Sequence, residues 1–204
     1  LLVSTGLAKQ DAIGLGVPVL QAMAEIDCHR CPMNDEDKIT RSYAVSQVEF
    51  TVGVSYADFT RAFESLLGRM DARALTDLPQ MPAEKARAKL QTFVGPLDFS
   101  LFQKIDHGAI VASLYGRHAH AMTYVFGNAL IAVEMTKHDL RAGLHVPLRL
   151  FVAEAGDGHV RVTYDRPSSL IASLGSAEAN AVARELDVKV ERLLRETVAR
   201  ATAS

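Results

Sequence analysis

The sequence predicts an α+β domain, a mostly antiparallel sheet with helices packed on one face, preceded by an N-terminal arm. Three observations carry this. "YAVSQVEFTVGVS" and "VPLRLFVAEAGDGHVRVTYD" alternate Val-rich and polar residues, the period of half-buried strands. Two stretches, after Ser55 and after Ser176, repeat apolar residues at helical spacing. Several strands follow one another before the long final helix, an order that fits helices gathered on one face of an antiparallel sheet.

Each element follows in turn. Residues 1–41 differ from the rest: "DAIGLGVPVLQAMAEID" is apolar but broken by Gly14, Gly16 and Pro18. This arm is expected to pack on the domain or on a neighbouring subunit, because an apolar segment left in water is unfavourable. A single domain is expected over 42–204. Its first strand leads to Ser55 or Asp58 as cap of a helix whose Phe59, Phe63, Leu66, Leu67 and Met70 share a face. Residues 71–96 hold Pro79, Pro82 and Pro96 around a short helix from Ala83, and read as an insertion. "LDFSLFQKID" is a strand, "HGAIVASLYG" a helix closed by Gly116, and "AMTYVFG" a strand. "ALIAVEMTKHDLRAG" is a helix ending at Gly143, the hairpin turns at Gly156-Asp157-Gly158, and "RPSSLIASLG" is a turn. The last helix is capped by Ser176, with a stripe of Val182, Leu186, Val190, Leu193, Leu194 and Val198.

Composition narrows the function. The 204 residues carry a formal net charge of −2, 6% aromatic residues and no Trp. That leaves no concentrated basic face for phosphates and no stacking platform, which argues against nucleic acid. No apolar run approaches the roughly 20 residues that cross a bilayer. Gly6 and Ala8 behind an apolar stretch resemble the tail of a secretory signal, but no positive segment precedes them, so the reading leans to the cytoplasm over the periplasm.

The candidate chemistry is sparse. Cys28 and Cys31 form one C-x-x-C pair, open to free thiols, a disulfide, or two corners of a metal site. Pro32 follows where haem attachment would require His. His118 and His120, two apart, share a face of an extended segment, a spacing that metal sites use. Zinc there needs further ligands, with His107, His138, His145 or the cysteines converging only in the fold. Asp106 and His107 stand where a strand gives way to a helix: His107 can be a base or ligand, and Asp106 equally an N-cap. Asn128 caps or turns the chain, or presents its amide to a ligand. The common hydrolase, metalloprotease, P-loop and dinucleotide motifs are absent.

"FSLFQKIDHGAIVASLYG", "TYVFGNALIAVEM" and "VPLRLFVAEAGDGHVRVTYDRP" resemble, in order and spacing, the bacterial and archaeal family called domain of unknown function 302. The resemblance covers about residues 42–175 and implies a TATA-binding-protein-like β-α-β4-α fold, without implying DNA binding. Ile105, Asp106 and His107 match its first motif, Phe126, Gly127 and Asn128 its second, and Pro147 the proline before the fourth strand. Ala129 and Ala132 depart from its usual Pro and Gly. The expectation is a non-catalytic domain binding a ligand or partner, a homo-oligomer or a subunit joined through the arm. Its shared ligand site would be Asp106, His107 and Asn128. The alternative is a metal- or haem-dependent protein using His118, His120 and His107.

Overall fold

The Val-rich alternation at the end of the chain sets the two faces of the sheet. In this computed structural model, which describes residues 38–155 and 157–203, β5 (Leu148–Glu154) pairs antiparallel with β6 (Val160–Asp165). Leu148, Leu150 and Val152 are buried on one face with Val160, Val162 and Tyr164, while Arg149, Phe151 and Arg161 point the other way. The first strand, β1 (Gln47–Val52), adds antiparallel to β6. On the other flank β4 (Ala121–Gly127) pairs with β5 and β3 (Ser100–Asp106), both antiparallel. A two-residue strand, β2 (Gly68–Arg69), lies parallel to β3 and completes the order β1-β6-β5-β4-β3-β2.

The helices cover the buried face, as expected. Ser55 caps α1 (Tyr56–Ser65) by accepting from the Asp58 N–H, and Ser176 caps α6 (Ala177–Ala203) by accepting from Ala179 N–H. Phe59 and Phe63 of α1 meet Leu186, Val190, Leu193 and Leu194 of α6 in one core with Tyr124, Phe126 and Leu150. With β1, α1, β3–β6 and α6, the chain has the β-α-β4-α core; Tyr43–Ser204 form one unit.

Three boundaries differ from the sequence reading, whereas the short helix expected from Ala83 begins there. Helix α1 stops at Ser65, so Leu66, Leu67 and Met70 are buried beyond it, because the chain turns there to form β2. Between β2 and β3, two single turns precede α2 (Ala83–Gln91), none of whose residues is buried. Helix α4 (Ala129–Thr136) ends before a separate tight turn over Leu140–Leu144, where Asp139 accepts from the Arg141 N–H. "RPSSL" is not a simple turn: α5 (Pro167–Ile171) docks on α6, with Ser168 N–H and hydroxyl both donating to the buried Asp187 carboxylate at 3.0 and 2.6 Å. The arm's core, with Cys28 and Cys31, lies outside the described residues. Among those residues no helix is long and apolar enough to cross a membrane.

Candidate functional site

The ladder of β3 and β4 separates the residues expected to form one site. Asp106 lies opposite Met122, whereas Asn128 follows Gly127, which lies opposite Ser100 at the far end. Six residue steps along β4 separate the two positions, about 20 Å at ~3.3 Å per residue. Asp106 and Asn128 are both helix caps. Asp106 accepts from the Ala109 N–H at 2.8 Å and opens α3 (His107–Tyr115). Asn128 accepts from the N–H groups of Leu130 and Ile131 at 2.8 and 3.4 Å.

The histidines do not converge either. The His107 Nε2 hydrogen-bonds Thr123 Oγ1 at 3.0 Å on the outer face of the sheet, with its ring 6.2 Å from that of Phe151. His120 stacks on Tyr56 of α1 at 5.1 Å, on the helix-covered face, with Nε2 3.9 Å from Glu154. His118 is exposed. Among the described residues no three His, Cys, Asp or Glu side chains stand close enough to hold a metal ion. The spacing of His118 and His120 is therefore not matched by further ligands from these residues.

The end of the sheet near His120 carries a polar network built for packing. Glu64 accepts from Lys104 Nζ at 2.9 Å and from the buried Tyr124 hydroxyl at 3.0 Å. Burial, then the carboxylates of Asp106, Glu64 and Glu154, push the Tyr56 phenol up to about 12. Burial and the Glu64 carboxylate drive the Tyr124 phenol well above its ordinary value. Both stay protonated through the neutral range, which suits hydrogen-bond donors and not bases.

At the opposite end the chain leaves space. Register slips between Leu101 and Gln103, so Phe102 is the extra residue of a bulge. Its ring lines a cavity of about 230 Å³ with Gly127, Asn128, Ile131, Met135, Pro147 and Leu186. Gly127 keeps the wall open: a Cβ there would meet Pro147 Cβ at 3.4 Å and the Phe102 ring at 3.8 Å. Val146 and Pro147, joined by a cis bond, continue the wall beside Gly127. Asn128 fixes the corner, because its Nδ2 donates to the Asp98 carbonyl at 2.9 Å while its Oδ1 caps α4. Asp98 has φ +68° and is held besides by Lys189 at 2.7 Å.

Asn128→Ala removes all three bonds and is expected to cost about 2 kcal/mol. Asn128→Asp keeps the cap, loses the donor, and should cost roughly half as much. Urea melts of the two variants measure the difference; equal losses would show that the cap contributes nothing, and an Asn128→Asp variant as stable as the parent would show that the Asp98 bond contributes nothing.

The cavity brings together segments that the sequence holds 20 residues apart in the motif order, Phe126-Gly127-Asn128 and Pro147. A family described as Domain of unknown function DUF302 matches residues 75–197. The chain belongs to the DUF302 family. The match runs on through most of α6, beyond residue 175 where the sequence resemblance ends, and so takes in Leu186 of the cavity wall. A crystal structure of an uncharacterized conserved DUF302 protein from Bacillus stearothermophilus is similar at 11% identity and a TM-score of 0.52. The similarity covers 74% of this chain and 96% of that one, and bears on the fold alone. No curated protein matches the chain.

Of the residues that line the cavity, Gly127, Asn128 and Pro147 are positions of the family motifs, whereas Phe102, Ile131, Met135 and Leu186 lie outside them. The motif positions were the available signal. Asp106 and His107, from the same family pattern, belong to the other end of the sheet.

Proposed function

We propose that this DUF302 chain is a non-catalytic binding domain that takes a small, neutral, apolar ligand in the cavity between Phe102, Asn128 and Pro147. One observation carries the reading: residues of two separate family motifs line the same apolar space. Cavities of roughly 150 Å³ with apolar walls stay dry and take up benzene, so about 230 Å³ is ample for a single ring or a short alkyl chain. The polar groups at the wall are already occupied. Asn128 uses both ends of its amide, and the Thr136 hydroxyl donates to the Val133 carbonyl at 3.5 Å. Among the described residues no charged side chain lines the space to offset the desolvation of an ion.

Titration with toluene, followed by amide NMR, tests this. Saturable shifts are expected at Gly127, Ile131 and Ala132, with benzoate at least about tenfold weaker because its charge would be desolvated without a partner. Ala132→Leu fills the cavity and should abolish the shifts while leaving the melting temperature unchanged or raised. Toluene shifts that never saturate, or that survive Ala132→Leu, would sink the proposal.

A second reading, docking of another protein or a second copy, is favoured by the apolar residues that α3 leaves in water. Ile110, Leu114 and Tyr115 are 50%, 70% and 76% exposed.

A further inference from the structure

The sheet face opposite α1 and α6 carries a row of side chains fixed by register. Val125 of β4 pairs with Arg149 of β5. Leu150 pairs with Tyr164, so Arg149 comes level with Asp165 of β6, which in turn pairs with Gln47 of β1. The neighbours Phe126, Leu150 and Tyr164 are buried on the helix side, which turns Val125, Arg149 and Asp165 to the other face. With Leu144, His145 and Leu170 this row borders a cavity of about 210 Å³.

Two opposite charges face the space from adjacent strands, which lie about 4.8 Å apart. Among the described residues the Arg149 guanidinium takes part in no hydrogen bond or ion pair, and the Asp165 carboxylate accepts only from Gln47 Nε2, at 3.3 Å. His145 stands on the arginine's side: burial, then the Arg149 cation, hold its imidazole below its ordinary value. Tyr43 lies edge-on to that ring at 6.3 Å and brings no charge. Arg141, in the turn before His145, is held by Asp139 at 2.6 Å, so that pair adds no net charge. Arg166, next after Asp165, turns to the helix side, 3.7 Å from Glu191 of α6. The cavity is thus bordered by one positive and one negative group, a balance that suits neither a plain anion nor a plain cation.

A ligand with both charges on neighbouring atoms and an apolar body meets all of these features. We propose that this cavity binds a free α-amino acid with a small aliphatic side chain, its carboxylate on Arg149, its ammonium on Asp165 and its side chain against Val125, Leu144 and Leu170. A neutral imidazole beside Arg149 can donate one N–H to the same carboxylate. A cavity of roughly 150 Å³ takes one benzene ring, so about 210 Å³ suits a slightly larger molecule, the size of valine. Val146, Pro147 and Leu148 border both this cavity and the one at Asn128, but the inference does not rest on the apolar-ligand reading.

Titration of the full chain with L-valine, followed by amide NMR, tests it. Saturable shifts are expected at Val125, Arg149 and Asp165. Binding should be at least about tenfold weaker for 3-methylbutanoate, which lacks the ammonium, and for isobutylamine, which lacks the carboxylate. Asp165→Asn should erase the preference for valine over 3-methylbutanoate, and Arg149→Gln the preference over isobutylamine. Toluene shifts intact in both variants, and valine binding intact in Ala132→Leu, are expected because the two sites act separately. Saturable toluene shifts without saturable valine shifts overturn this inference alone. Valine no tighter than either analogue also overturns it, and so do preferences that survive both substitutions, because they place the site elsewhere.

Discussion

Gly95→Ala is expected to destabilise the domain by at least about 3 kcal/mol, lowering the melting temperature by roughly 6–12 °C. A Cβ at residue 95 would lie 2.3 Å from Gly68 N, 2.6 Å from Leu67 C and 2.7 Å from Leu66 O. All three are backbone atoms, so no side chain can rotate away. The contact is reciprocal: a Cβ at Gly68 would stand 1.9 Å from the Phe93 carbonyl oxygen. Close approach lets one carbonyl hold both segments, since Gly68 N–H and Gly95 N–H each donate to Phe99 O at 2.9 Å. Adding a methyl forces apart the crossover, β2 and the start of β3 together. Gly143→Ala is the control, because its nearest neighbour would be Thr136 Cγ2 at 4.0 Å, and it should change stability by less than about 0.5 kcal/mol. Urea melts of the two variants decide the matter; similar losses would mean that the glycine contact is not the cause.

The same glycines mark where the sequence stops being legible. Strands β1, β5 and β6 were readable because one face is buried and the period of two is written into the residues. Strand β2 has two residues and no period, and Gly68 sits inside a pattern, Phe63, Leu66, Leu67, Met70, that continues a helix. All four are buried, so the hydrophobic reading of the positions holds while the backbone reading does not. Tertiary approach of Gly95 ends the helix, and no local propensity records it. For the site, the limit is register. Asp106 and Asn128 stand at opposite ends of one ladder, and Thr123 and His120 at opposite faces, facts set by pairing partners. The bulge at Phe102 is equally a property of two strands and not of either one. Caps, by contrast, are local: Ser55, Asp106, Asn128 and Ser176 all accept from their own helices.

Phe63→Ala is expected to cost about 3–5 kcal/mol, the range for removing a fully buried aromatic ring. The residue is 0% exposed and joins α1 to the middle of the sheet, its ring edge-on to Tyr124 at 5.1 Å and to Phe126 at 5.6 Å. Two effects contribute, and Phe63→Leu separates them. Leucine keeps most of the apolar burial but loses both ring contacts, each worth about 0.5–1.5 kcal/mol beyond area. A loss for the leucine variant below half of the alanine loss therefore assigns most of the stabilisation to burial. A loss close to the alanine value assigns it to ring geometry, and thermal melts with urea extrapolation read the difference. Phe126 ties this junction to the binding question, because it precedes Gly127 of the cavity wall, while Phe63 is not itself one of the lining residues. Toluene should thus bind Phe63→Leu with unchanged affinity under conditions where the variant is fully folded. Affinity that falls in step with stability would mean that the cavity has no walls of its own and is only slack in the core.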